Sequence, residues 1–199
     1  MLEDASDRRE RESELRRLAD TDPLTELFNR RRFAAELNRH LARAERYGQR
    51  GSLLLVDVDR LKSINDRAGH LAGDNAIITT ATLLRSHLRS SDVVARIGGD
   101  EFAILLPDAG PAQAATVAQA LLRGAVATDS GPGATIRLTL SIGITPIEPD
   151  GSDAAALFER GTPPSMRSSA PAAMAMRRAT AASAASTGAR SGPVRRSRA

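Results

Sequence analysis

Four consecutive apolar residues, Leu53-Leu54-Leu55-Val56, run directly into Asp57-Val58-Asp59. A run this short and this uniformly apolar suits a strand buried on both faces, in the interior of a sheet with helices on each side. The two carboxylates then stand where that strand leaves the core. Such a strand demands partners to pair with and amphipathic helices to cover it. The chain supplies both. Phe33, Leu37, Leu41 and Ala44 recur at helical spacing and stop near Gly48, and Asp22 and Pro23 suit a helix cap and first position. A stretch rich in Asn, Asp and Gly reads as a loop to Asp74, after which Ile77, Ala81, Leu84 and Leu88 share a helical face. Asp92 to Ile97 and Phe102 to Leu106 read as a hairpin around Gly98-Gly99-Asp100-Glu101. Pro111 opens a helix with Ala114, Ala118, Leu121 and Ala125 inward. Ile136, Leu138, Leu140 and Ile142 alternate with polar residues, as in a strand with one buried face. The predicted class is α/β, with one mixed central sheet flanked by helices.

Charge divides the chain. Its 199 residues carry a formal net charge of +4, yet residues 161–199 hold seven arginines and no acidic residue. Residues 1–160 therefore hold 21 basic and 24 acidic side chains. The basic tail reads either as an arm for nucleic acid or a membrane surface, or as a solvated extension; the second reading is favoured, and no nucleic-acid partner is expected. Residues 1–20 are mostly charged, with Leu15 and Leu18 at helical spacing, and read as an exposed linker helix. No apolar run approaches the ~20 residues that span a bilayer, and the charged start is unlike a signal peptide, so a cytoplasmic location is expected. The chain has no cysteine, which excludes disulfides and thiolate metal sites.

The acids carry the chemistry. If the hairpin and the apolar strand are neighbours, Asp57, Asp100 and Glu101 converge at one edge of the sheet. Three carboxylates so placed repel one another unless a cation intervenes. Oxygen donors without nearby His or Cys suit Mg²⁺ or Mn²⁺, ions that bind substrate phosphates and so point to nucleotide chemistry. Gly98 and Gly99, lacking Cβ atoms, would let a bulky substrate lie against the backbone. A plain hairpin turn with solvated acids is the alternative for this fragment alone.

Longer strings favour the first reading. Arg96-Ile97-Gly98-Gly99-Asp100-Glu101-Phe102 resembles the signature of GGDEF domains, the catalytic units of diguanylate cyclases. Asp57-Val58-Asp59-Arg60-Leu61-Lys62-Ser63-Ile64-Asn65-Asp66 is similar to that family's D-x-D-x-F-K-x-I-N-D segment, with Leu61 in place of phenylalanine. Gly69-His70-Leu71-Ala72-Gly73-Asp74 matches G-H-x-x-G-D, the stretch from Asp22 to Arg31 matches D-x-L-T-x-L-x-N-R-R, and Ser141-Ile142-Gly143 matches S-x-G. The resemblance spans about residues 20–160. It implies a sheet akin to nucleotidyl cyclase and polymerase palm domains, and condensation of two GTP into cyclic di-GMP by two subunits of a transient homodimer.

The resemblance also implies roles. Asp57, the Val58 carbonyl, Asp100 and Glu101 would hold the Mg²⁺ or Mn²⁺, and Asp100 or Glu101 would accept the 3′-hydroxyl proton. Asn65 and Asp74 would read guanine, for which an amide and a carboxylate supply acceptors to N1–H and N2. Lys62, the only lysine in the chain, falls at the family's phosphate-side position. Gly98 and Gly99 would lie beside the substrate. Arg89 and Asp92 resemble the R-x-x-D site at which cyclic di-GMP inhibits its own synthesis.

The family pattern then fails. A final helix of the type A-D-x-A-L-Y-x-A-K-x-x-G-R-N is expected, and Leu157-Phe158-Glu159-Arg160 leads toward it, but Gly161 to Ala199 is built largely of Ala, Arg, Ser, Pro, Thr, Gly and Met. Reading each codon's third base with the next codon's first two admits Asp-Ala-Ala-Leu-Tyr from Thr162 and Gly-Arg-Asn near Pro171 to Met174. A one-base slip near Arg160–Gly161 is therefore expected, along with three units: a linker over 1–20, a catalytic domain over 21–160 lacking its usual last helix, and a disordered basic tail over 161–199. A weakly active or inactive receptor for cyclic di-GMP or GTP is the alternative to an active cyclase.

Overall fold

The computed structural model describes residues 18–127 and 138–163. The predicted helix before Leu18, the predicted strand residue Ile136 and the tail after Pro163 lie outside them. The elements are β1 (Phe28–Asn29), α1 (Arg30–Tyr47), β2 (Gly51–Val58), α2 (Leu61–Ala68), α3 (His70–His87), β3 (Val93–Arg96), β4 (Glu101–Pro107), α4 (Pro111–Ala127), β5 (Leu140–Ile147) and α5 (Ala154–Gly161).

The strands form one mixed sheet in the order β1-β3-β4-β2-β5. β1 runs parallel to β3, whereas β3–β4, β4–β2 and β2–β5 are antiparallel. β2 is interior, paired on both sides, and every one of its residues is buried. Alternation along it divides the core in two. Leu54, Val56 and Val58 face α3 and α4, where Ile77, Leu84, Ala114 and Leu121 cover them together with Phe102 and Ile104. Leu53 and Leu55 face α1 and α5, where Phe33, Leu37, Leu157 and Phe158 join Ala103 and Leu105. Phe33 and Phe158 meet edge to face at 6.4 Å between ring centroids, an aromatic geometry that ties α1 to α5 over the sheet.

Two sequence expectations are corrected. Asp22 and Pro23 do not begin a helix: Asp22 folds a tight turn, accepting from the Thr25 backbone N–H at 2.9 Å and the Thr25 hydroxyl at 2.8 Å. α1 begins instead at Arg30, capped by Asn29, whose side chain accepts from Arg32 N–H. Asp22 and Asn29 each accept from the N–H three residues on, but only after Asn29 do Phe33, Leu37 and Ala44 follow in phase as a buried helical face. The stretch read as a loop from Asp59 to Asp74 is mostly helical. Its polar residues lie on two surface helices, α2 and α3, separated by Gly69 at φ 83°. α2 is only eight residues long, and of its apolar face Leu61 and Ile64 alone pack against the core, so its stripe is too short to stand out in the sequence.

Candidate active site

The register of β2 against β4 builds the site. Asp57 lies directly opposite Glu101, the first residue of β4, so both side chains leave the same face of the sheet. Glu101 therefore belongs to a strand, not to the hairpin tip where the sequence reading put it; Asp100 remains in the turn. By alternation this is the α1–α5 face, and the acids continue the row of Leu53 and Leu55. Both are buried, at 7% exposure for Asp57 and 5% for Glu101. Backbone bonds pin the junction: Val58 N–H donates to the Asp100 carbonyl at 3.1 Å, and Ile97 N–H to the Glu101 carbonyl at 2.9 Å.

Glu101 resists ionisation. Burial, then the charges of Asp100 and Asp57, raise its pKa to about 7, opposed by the nearby Arg30 guanidinium. Like charges crowded at a buried pair are what a hard dication relieves, and the donors on hand are all oxygens. The residues present thus fit such an ion, with Asp57, Glu101, Asp100 and the Val58 carbonyl as the groups that would hold it. Among the described residues, no three acidic or histidine side chains already stand gathered in a metal-binding cluster. Asp57 and Glu101 are brought together, and the Asp100 carboxyl would have to turn in from the hairpin.

The two glycines of the hairpin differ. A Cβ on Gly98 would come within 2.5 Å of the Glu101 carboxylate oxygen, while one on Gly99 would meet nothing within 4 Å. The space above Gly98 is already taken by Glu101; only Gly99 offers an open backbone surface to a substrate. Sequence reading treated them alike because a glycine's neighbours across a turn are not visible in its string.

Arginines brace the hairpin from outside. Arg30, at the start of α1, donates from Nε to the Ile97 carbonyl at 2.7 Å, and its Nη2 donates to the same oxygen. Arg96 donates from Nε to the Gly98 and Gly99 carbonyls, at 3.2 and 3.1 Å, and from Nη2 to Gly99 at 2.8 Å. Its Nη1 meets Asp22 at 3.2 Å. Burial acts to raise the pKa of Asp22, but the bonds from Thr25 and the charge of Arg96 outweigh it and hold the carboxyl below its usual range. The D-x-L-T turn is thus a clamp on the glycine hairpin. These roles were missed from sequence. In the sequence Arg96 stands out only as part of a motif, although an arginine closing a strand just before two glycines can reach their carbonyls.

Asn65 and Asp74 come from α2 and α3. Asn65 packs its amide into the space a Cβ on Gly73 would fill, and its Oδ1 is buried without a hydrogen-bond partner. Asp74 is the next residue after Gly73 and is exposed. A buried amide oxygen left unpaired beside an exposed carboxylate is an acceptor pair available to a donor-bearing ligand. Lys62 is exposed on the first turn of α2. Arg89 and Asp92 form a closed turn: Arg89 N–H donates to the Asp92 carboxylate at 2.9 Å, and Asp92 N–H to the Arg89 carbonyl at 3.0 Å. The Arg89 side chain stays exposed. A groove of about 250 Å³ lined by Leu41, Glu45, Glu148 and Asp153 opens at the opposite end of β5 and shares no residue with this site.

A mixed sheet of this order, helices on both faces and carboxylates at the strand ends define the palm-like fold of nucleotidyl cyclases. The family model described as "Diguanylate cyclase, GGDEF domain" matches residues 19–162, and the chain belongs to the GGDEF family. The diguanylate cyclase TpbB of Pseudomonas aeruginosa is 42% identical over 137 residues, 68% of this chain and 31% of that protein. The probable diguanylate cyclase DgcE of Escherichia coli is 37% identical over 163 residues, 80% of this chain and 15% of that protein. The chain therefore spans a third or less of the length of these relatives. Among solved structures, the coiled coil and GGDEF domain of DgcB from Caulobacter crescentus, in complex with c-di-GMP, superposes with a TM-score of 0.74 at 31% identity, covering 78% of this chain and 83% of that one. Among the described residues no helix is long and apolar enough to cross a membrane.

Proposed function

We propose that this chain is a diguanylate cyclase domain that condenses two GTP into cyclic di-GMP with Mg²⁺ or Mn²⁺, working as a transient homodimer. The observation that carries the reading is the directly opposed, buried pair Asp57 and Glu101, with Glu101 raised to about 7. In each half-reaction the 3′-oxygen of one GTP forms a bond to the α-phosphorus of the other. The α–β bridging P–O bond breaks and pyrophosphate leaves; two such steps close the ring. Glu101, near half-ionised at neutral pH, can take the 3′-hydroxyl proton as that bond forms; Asp100, next to it in the turn, is the alternative acceptor by position. A bound dication would lower the hydroxyl pKa and offset phosphate charge. Asn65 Oδ1 and the Asp74 carboxylate would accept from guanine N1–H and N2, and a base lacking those donors would leave them unpaired. Lys62 would face the phosphates.

The test is cyclic di-GMP formation from GTP and Mg²⁺ by the purified chain, with Asp100→Ala and Glu101→Gln beside it. Product that vanishes in both variants supports the reading; product that survives Glu101→Gln sinks it.

A second reading is a weakly active receptor. The helix α5 ends at Gly161, the family match ends at residue 162, and no lysine follows to serve phosphates. The exposed Arg89, beside the Asp92 turn, suits a bidentate contact to guanine or phosphate of cyclic di-GMP. In the first reading that same turn is the product-inhibition site. Cyclic di-GMP binding without turnover favours the receptor, and a gene whose neighbouring frame spells the missing helix would attribute the loss to a one-base slip.

A further inference from the structure

The turn from β2 into α2 is the one place where the chain must carry both the Val58 carbonyl and the start of the helix bearing Lys62 and Asn65. It is poorly supported locally. Arg60 takes a left-handed conformation, φ 59° and ψ 29°, which a residue with a Cβ adopts only under strain. α2 has no side-chain cap. An aspartate just before a helix ordinarily folds forward onto the helix N–H groups. Asp59 does something else. Its Oδ1 accepts from the Ser141 hydroxyl at 2.7 Å, across the sheet on β5, and its backbone N–H donates to the Thr139 carbonyl at 3.0 Å.

The backbone bond has a geometric consequence. Peptide groups here are trans, and in a planar trans peptide the carbonyl points opposite to the N–H. The N–H of the Val58–Asp59 peptide points to the β5 side, so its carbonyl points to the β4 side, where Glu101 and the Asp100 turn lie. Val58 N–H, bonded to the Asp100 carbonyl, points the same way. Rotation of this peptide would therefore carry the Val58 oxygen away from the acids. What resists rotation is the pair of bonds from Asp59 to β5, and of the two, the side-chain bond to Ser141 is the one a substitution can remove.

We propose that Asp59 and Ser141 are positioning residues: their cross-sheet hydrogen bond holds the Val58 peptide so that its carbonyl faces the Asp57–Glu101 pair, and so sets affinity for the divalent cation. The proposal rests on the acidic edge being a cation site. Asp59 itself is not a ligand; its carboxylate is turned to β5. The same pin anchors the strained Arg60 turn and hence the first turn of α2. Losing a support of this type ordinarily costs about 10- to 100-fold in metal affinity while the fold survives.

The experiment is Mn²⁺ titration of the full chain by electron paramagnetic resonance, with thermal unfolding of each variant measured in chelator. Wild type and Glu101→Gln set the scale, and the proposal expects wild type to bind and Glu101→Gln to lose binding. Ser141→Ala is expected to bind Mn²⁺ about 10-fold more weakly, with amide hydrogen exchange at Asp59 accelerated and the metal-free unfolding midpoint nearly unchanged. Ser141→Thr, which keeps the hydroxyl, is expected within about 2-fold of wild type, and Asp59→Asn, which keeps an acceptor oxygen, within about 3-fold. Wild-type affinity in Ser141→Ala overturns the pin. A loss in Asp59→Asn as severe as in Glu101→Gln overturns it too, because Asp59 would then be a direct ligand; this arm holds even where Ser141→Ala does not fold. Absence of Mn²⁺ binding in wild type removes the cation site itself, and with it the pin's purpose, whatever the variants do.

Discussion

The two ends of the site are built in opposite ways. The acidic end sits in the sheet, on β2 and β4, where backbone pairing fixes the residues and burial makes their charge expensive. The proposed base-reading end sits on α2 and α3, helices with exposed polar faces, where Asn65 packs against Gly73 and Asp74 follows it at the surface. The first end crowds like charges in the core and works against stability; the second leaves one amide oxygen, Asn65 Oδ1, buried without a partner and keeps Asp74 at the surface. In the proposed reading, chemistry common to every nucleotide falls to the sheet and the choice of nucleotide to the surface helices.

The contrast is broken most severely at Glu101. Glu101→Gln is expected to lower cyclic di-GMP formation by about 10³-fold while leaving the chain folded. Its stability should show the opposite sign. The folded state holds the Glu101 proton up to about pH 7 whereas an ordinary glutamate releases it near 4.5. The folded state thus binds more protons over that window, and metal-free stability should fall as pH rises from about 4.5 through about 7. Thermal midpoints measured in chelator across that range should decline in wild type and flatten in Glu101→Gln; a parallel decline in both would show that the acid edge is not strained.

Gly98→Ala comes next. The added methyl meets the Glu101 carboxylate at 2.5 Å, and the acid must move. Activity should drop by about 10²-fold, whereas Gly99→Ala, facing open space, should fold and pack as wild type; equal unfolding midpoints for the two would erase the distinction drawn between these glycines. At the helical end, Asp74→Ala should reduce the preference for GTP over ATP by about 10²-fold, read as a ratio of kcat/KM, with no change in unfolding midpoint. A stability loss there would mean that the helical end is not free of the fold. The smallest effect on turnover belongs to Arg89→Ala. Initial rates should stay within about 2-fold, while cyclic di-GMP binding, read by calorimetry, weakens by about 10-fold or more.

The same division explains what was legible in the sequence. The uniformly apolar Leu53–Val56 run, the Gly98–Glu101 hairpin and the Pro111 helix announced a mixed α/β sheet because burial leaves a strong pattern. The stretch holding α2 reads as a loop because its apolar face, Leu61 and Ile64, spans a single turn among polar residues. The start of α1 was misplaced because Asp22 and Asn29 are both able caps, and only the tertiary contact with Arg96 shows that Asp22 serves the hairpin. Asp57, Asp100 and Glu101 stand out from the strand and hairpin pattern, and Asn65 and Asp74 from the family motifs. What holds them (Arg30, Arg96, and the bond from Ser141 to Asp59) joins residues up to 82 positions apart, a separation that only the folded sheet collapses.

Because Asp57 and Glu101 face each other across two strands, the lineage of such a chain is constrained in length more than in letters. Side chains alternate along a strand, so one residue gained or lost within β2 or β4 would send one acid through to the α3–α4 side and leave its partner behind. The segment between them, residues 59–100, could lengthen at its turns or exchange most of its surface without disturbing that opposition. Variation that counts residues inside the two strands should be purged, and variation on the exposed surface between them, away from Asp59, Asn65, Asp74 and the Gly98–Asp100 turn, should be inherited.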